Sequence, residues 1–174
     1  MPGKSWSIRW NDCSWDPSTR TRKGVYEVGW PKSDKVFKDS FFNNIKSLKE
    51  DLNLRFDKSV LYAPSFETDN KQIEICKILE DLNANILFKH WLTNEDSLDF
   101  IDLKKNIDEA NLYVKKNMHN GYILDPNLNI VDCLALSDVL ITDESSVLYE
   151  AFLLNIPTVS VSDFVMRTNN IKPA

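Results

Sequence analysis

The sequence predicts an α/β domain built on a doubly wound, Rossmann-like parallel sheet, and three observations carry that expectation. Short apolar runs of strand length alternate with stretches whose apolar residues recur at helical spacing. Several runs, such as DVLIT at 138–142, show no polar alternation. Strands of that kind are buried on both faces, as in parallel sheets covered by helices on either side.

Taken in order, GVYEV (24–28) reads as a short strand ended by Gly29 and Pro31. Residues 36–54 place Phe41, Ile45, Leu48 and Leu52 at helical spacing. SVLYAPSF (59–66) is an apolar strand cut by Pro64, and 71–82 is a helix with Ile75, Ile78, Leu79 and Leu82 on one face. NILFKH (85–90) is a strand, and 96–106 a helix carrying Leu98, Ile101 and Leu103. The next strand has two candidates, NLYV (111–114) and GYIL (121–124). A short helix over 130–136, the strand 138–142, a helix over 145–154 and the strand 157–161 complete the series.

The chain has 174 residues, the size of one domain, and 43% of them are hydrophobic, enough for a core. Residues 1–22 stand apart as an irregular segment holding Trp6, Trp10 and Trp15, and 23–174 read as one Rossmann-like domain. A net charge of −5 and scattered basic residues argue against a nucleic-acid partner. Arg20, Arg22 and Lys23 form a small cluster, read as solvated surface. Cys13, Cys76 and Cys133 are odd in number, far apart and outside any C-x-x-C pair, so reduced thiols are expected, with Cys76 and Cys133 in the core. No apolar run follows Met1, and none approaches the ~20 residues of a membrane span. The expectation is a cytoplasmic protein, with attachment at the inner face of the membrane left open.

In doubly wound sheets ligands lie at the carboxyl ends of the strands, where the strand order reverses. Candidate residues are therefore those that follow each strand. After 138–142, the turn Asp143, Glu144, Ser145 and Ser146 opens a helix, whose first N–H groups and dipole favour an anion. Glu150 lies one turn beyond Ser146, placed to accept from ribose or glycerol hydroxyls. Asp143 and the serines equally suit plain helix capping, which the local pattern alone favours. Lys89 and His90 leave the strand 85–90 together: a lysine offers charge to a phosphate, and a histidine offers a donor or a general acid. A surface pair at a strand end is the competing reading. Ser65 and Phe66, after Pro64, offer a hydrogen-bonding hydroxyl and a ring to stack on a base, or simply a turn. His119 reads as a solvated loop residue, and no metal-ligand cluster is visible.

YAPSFE (62–67), ILFKH (86–90) and the run from Leu124 to Val161, in that order and spacing, resemble the CDP-glycerol:poly(glycerophosphate) glycerophosphotransferase family of teichoic-acid polymerases. VGWPKSD (28–34) resembles the family's Gly-x-Pro-x-x-Asp segment. Departures are Glu144, where the family commonly has Tyr, and Trp91 after His90. The resemblance implies a GT-B fold, of which this chain matches the C-terminal, donor-binding domain. It further implies transfer of glycerol phosphate, or a related polyol phosphate, from a CDP-linked donor to a hydroxyl acceptor. His90 becomes the catalytic candidate; Ser65, Lys89, Asp143, Ser145, Ser146 and Glu150 become donor-binding candidates, with no metal or other cofactor. Implied partners are CDP-glycerol or a similar nucleotide donor, and an N-terminal half or a second copy of the chain. The alternatives are a non-catalytic nucleotide-sugar-binding or interaction module, and, more weakly, a receiver-like regulator phosphorylated on Asp143. The strand end at YAPSF lacks the acidic pair that a receiver needs.

Overall fold

The computed structural model describes residues 30–65, 71–91, 100–143 and 145–161. They fall in two units that divide after Lys38. In the first, Pro31–Phe37 forms a 3-10 helix that begins on a proline, whose fixed φ suits a first helical position. The Ser33 hydroxyl and N–H both donate to the Trp30 carbonyl, at 2.6 and 2.9 Å. The helix expected over 36–54 therefore starts later, in the second unit, as α1 (Asp39–Leu52), with Phe41 and Ile45 buried. Asn53, at φ 48°, ends it in the left-handed conformation that asparagine tolerates.

The second unit then alternates β1 (Ser59–Tyr62), α2 (Lys71–Leu79), β2 (Asn85–Phe88), α3 (Ile101–Asn117), β3 (Gly121–Ile123), α4 (Ile130–Ala135), β4 (Val139–Thr142), α5 (Val147–Leu153) and β5 (Thr158–Ser160). The sheet order is β3-β2-β1-β4-β5, and every pairing is parallel. Leu61 pairs with Leu87 on one side and Leu140 on the other, and Val159 pairs with Ile141, as the apolar runs predict. Successive side chains alternate faces. Tyr62, Ile86 and Phe88 pack with Cys76 and Leu79 of α2 and with Ala110 and Val114 of α3. Leu61, Leu87 and Leu140 point the other way and are also fully buried. The crossovers through α2 and α3 move outward from β1, while those through α4 and α5 run to the opposite side. Right-handed connections then put the second pair, which pack on each other, on the second face. The domain is a doubly wound α/β sheet.

Of the two candidates for the third strand, GYIL supplies β3, and NLYV lies inside α3. Leu103, Ile107, Ala110 and Val114 form one buried stripe along α3 and hold residues 111–114 in helix. The strand expected at 24–28, the three N-terminal tryptophans, Phe66, Cys13 and the basic cluster lie outside the described residues. Cys76 and Cys133 are buried thiols, and burial pushes Cys76 up to about 12, which keeps it protonated and unreactive. Among the described residues no helix is long and apolar enough to cross a membrane.

Gly121 opens β3 where α3 turns back onto the sheet. A Cβ there would stand 2.6 Å from Val114 Cγ1 and 3.1 Å from Met118 Cβ. Gly121→Ala is expected to cost about 1–3 kcal/mol by overpacking, read as a lower urea midpoint, with part of the loss recovered by adding Val114→Ala. An unchanged midpoint would contradict this close approach.

Candidate functional site

The strand order reverses between β1 and β4, so their carboxyl ends border the crevice in which such sheets hold ligands. Pro64 has no N–H to donate, and sheet pairing along β1 stops just before it, after Ala63 N–H donates to the Ile141 carbonyl at 3.0 Å. Ser65 follows and meets Asp143 across the crevice. Its N–H and hydroxyl both donate to Asp143 Oδ2, at 3.0 and 2.6 Å. The Thr142 hydroxyl adds a third link, donating to the Ala63 carbonyl at 2.6 Å. Asp143 is buried, at 6% exposure, and its Oδ1 has no hydrogen-bond partner among the described residues.

On the other side of β1, His90 leaves the end of β2. Its imidazole is buried and stacks on the Phe88 ring, with centroids 6.4 Å apart and planes 23° apart. Phe88 in turn meets Tyr62 edge to face. Neither His90 nitrogen has a hydrogen-bond partner among the described residues. Burial first, and the Lys89 cation second, push the His90 pKa down to about 4, so the ring is neutral at pH 7. A neutral imidazole presents one N–H donor and one lone pair.

Lys89 takes a different direction. Its ammonium donates to the carbonyls of Pro126, at 2.6 Å, and of His90, at 3.3 Å. Pro126 belongs to the turn between β3 and α4, so the ammonium is committed to backbone carbonyls in the free domain.

Ser145 and Ser146 stand at the start of α5, which follows β4, as the sequence predicts. The turn is closed on itself. Ser145 N–H donates to the Asp143 carbonyl at 2.7 Å, and Ser145 Oγ accepts from Val147 N–H at 3.3 Å. The carbonyls of Ser145 and Ser146 receive the N–H groups of Leu148 and Tyr149. In this geometry Ser145 acts as a cap, Ser146 occupies the N-cap position without a side-chain hydrogen bond, and the seven-residue helix carries a modest dipole. Glu150, one turn after Ser146, is buried at 3% exposure.

The structure thus brings Ser65 and Asp143 together, sets His90 on the neighbouring strand end, and engages the Lys89 ammonium with backbone carbonyls. Gln72, in the first turn of α2, is fully buried, and its Oε1 has no partner among the described residues. Nothing in the sequence flagged it except an amide in a helix that otherwise packs Cys76 and Leu79 inward. His119 is exposed, as expected. Among the described residues no three His, Cys, Asp or Glu side chains gather as metal ligands.

A family model described as CDP-glycerol:poly(glycerophosphate) glycerophosphotransferase matches residues 18–164. A teichoic acid glycerol-phosphate primase of Bacillus subtilis (strain 168) is 31% identical over 134 residues, 76% of this chain and 32% of that protein. A teichoic acid glycerol-phosphate transferase of Staphylococcus aureus (strain NCTC 8325 / PS 47) is 27% identical over 145 residues, 80% of this chain and 35% of that protein. The chain spans about one third of the length of these relatives. Among solved structures, a variant of the wall teichoic acid polymerase TagF superposes with a TM-score of 0.60 at 21% identity, covering 91% of this chain and 37% of that one. The same polymerase soaked with CDPG gives a TM-score of 0.56. These likenesses extend the α/β fold to that polymerase.

The depressed His90 pKa has a consequence for stability. The folded value of about 4 lies below the unfolded value of roughly 6.5, so between them the unfolded chain binds the extra proton. Stability is complete above the unfolded value and falls as pH drops toward the folded one. The parent chain is expected to lose about 2 kcal/mol more than His90→Gln between pH 7 and pH 5, measured by urea unfolding. Parallel slopes for the two proteins would contradict a buried, neutral His90.

Proposed function

Because the chain belongs to the CDP-glycerol:poly(glycerophosphate) glycerophosphotransferase family, we propose that the carboxyl edge of its sheet binds a CDP-linked polyol phosphate donor. The observation that carries this reading is a pair of buried polar groups flanking β1 that have no partner among the described residues: both nitrogens of His90 and Oδ1 of Asp143. Leaving such groups buried and unpaired costs roughly 1–3 kcal/mol each, a cost a ligand's complementary atoms relieve on binding.

Each group suits a part of such a donor. The His90 N–H donates to a phosphate oxygen, and its lone pair receives the proton of an attacking hydroxyl. An anion beside the ring would also raise the His90 pKa from about 4, helping it hold that proton. Asp143 Oδ1, with Oδ2 anchored by Ser65, accepts from a sugar or glycerol hydroxyl. Glu150, one turn after Ser146, is the buried carboxylate of α5 nearest in sequence to this turn. Rotation of the Ser145 hydroxyl would release the Val147 N–H to a phosphate oxygen, with the Ser146 hydroxyl beside it.

In the reaction proposed for the longer protein, an acceptor hydroxyl attacks the phosphorus that carries the glycerol. The bond from that phosphorus to the bridging oxygen of CMP breaks, and CMP leaves with the bridging electrons. The 174-residue chain is expected to bind donor with little or no turnover, since its relatives are about three times as long.

Calorimetric titration tests the reading. CDP and CDP-glycerol are expected to bind, and UDP-GlcNAc to bind more weakly. Changing Ser145 and Ser146 together to Ala is expected to weaken CDP by about tenfold or more, the value of one or more hydrogen bonds to a charged group. No heat with either cytidine nucleotide, or a preference for UDP-GlcNAc, would overturn the assignment of donor class. An unchanged CDP affinity in the double variant would reduce both serines to caps.

A further inference from the structure

Lys89 sits beside the proposed catalytic group, yet its ammonium is already committed. It donates to the Pro126 carbonyl at 2.6 Å and to the carbonyl of His90 itself at 3.3 Å. Its N–H donates to the Tyr62 carbonyl, at 3.0 Å, extending the β1–β2 pairing past the strand end. The turn it reaches is closed locally. Asp125 Oδ1 accepts from the Asn127 N–H and side-chain amide, the Asp125 carbonyl accepts from the Leu128 N–H, and Asn129 caps α4 through the Val131 N–H. Beyond the β3 pairing, where Leu124 N–H reaches the Phe88 carbonyl, the Lys89 side chain also ties this turn to β2.

We infer that Lys89 is a positioning residue, whose ammonium straps the turn 125–129 to the end of β2 and so fixes the backbone that carries His90. A phosphate ligand would have to draw the ammonium off two carbonyls. The residue is half-buried, and burial lowers its pKa; Cys133 and Asp125, the groups that pull it back up, belong to α4 and to the turn before it. The proposal rests on the donor-site reading only for the role of His90; the strap itself is a property of the free domain.

Lys89→Met keeps the aliphatic stem and removes the donors, while Lys89→Arg keeps donors and charge. Amide exchange without nucleotide is the first readout. Lys89→Met is expected to speed exchange at Leu128 and Val131 by about tenfold or more, the value of one hydrogen bond from a charged donor, leaving Leu140 and Ile141 unchanged. Lys89→Arg is expected to restore protection. The second readout is the His90 ring titration by NMR. Its midpoint is expected to rise in Lys89→Met, where a neighbouring cation is gone, and to return in Lys89→Arg. Unchanged exchange at the turn in Lys89→Met overturns the strap. If CDP affinity then falls by about tenfold, Lys89 is a phosphate contact instead. If exchange changes as expected but no variant binds CDP, the strap stands and the donor reading fails.

Discussion

The fold depends on the pairing of β1 with β4, two strands about 80 positions apart in the chain and adjacent at the centre of the sheet. An aspartate fastens each end of β4 to a serine at the corresponding end of β1. At the amino end, Asp138 Oδ2 accepts from the Ser59 N–H at 3.0 Å and Oδ1 from Lys58 Nζ at 2.7 Å. At the carboxyl end, Asp143 Oδ2 accepts twice from Ser65. Closing a loop of that length costs entropy before any contact is gained, and these polar ties add register-specific contacts to the buried apolar pairing.

The two ends differ in what they leave over. Asp138 uses both oxygens. Burial pulls its pKa up, but the hydrogen bonds from Lys58 and Ser59 and the lysine's charge prevail, so the carboxyl titrates below its ordinary range. Asn85, at the same end, saturates its amide against residues 55–59, donating to the Phe56 and Lys58 carbonyls and accepting from the Arg55 and Phe56 N–H groups. At the opposite end, among the described residues, Asp143 spends one oxygen and His90 spends neither nitrogen. Buried groups without partners are destabilising unless something complements them; Asn120 Oδ1, before β3 at the amino end, is another, but Asp143 and His90 flank the reversal of strand order, the edge on which a ligand is expected.

Much of this was legible in the sequence because the signals were strong. Four strands with near-continuous apolar runs, and a polar turn after each, located the sheet and its carboxyl edge. Ser65, His90 and Asp143 followed from strand ends alone. What failed to show was geometry set by tertiary contact. Residues 111–114 carry β-compatible side chains, yet the buried stripe of α3 through Ala110 and Val114 keeps them helical. The first helix was expected to start at 36, and a proline-initiated 3-10 turn over Pro31–Phe37 takes its place before α1. The direction of the Lys89 ammonium depended on a carbonyl 37 residues away, and no local pattern encodes it. Ser145 was legible as both cap and anion ligand, and in the free domain it caps.

The central claim is one of location: a nucleotide donor sits at the carboxyl edge, over the β1–β4 junction. Mapping amide shifts of the 15N-labelled chain during titration with CDP tests it most directly. The account predicts the largest shifts at Ser65, His90, Asp143, Ser145 and Val147, with Ser59, Asn85 and Asp138 at the amino edge unmoved. Shifts centred on the amino edge, or on the exposed face of α5 and β5 around Phe152 and Val159, would contradict it.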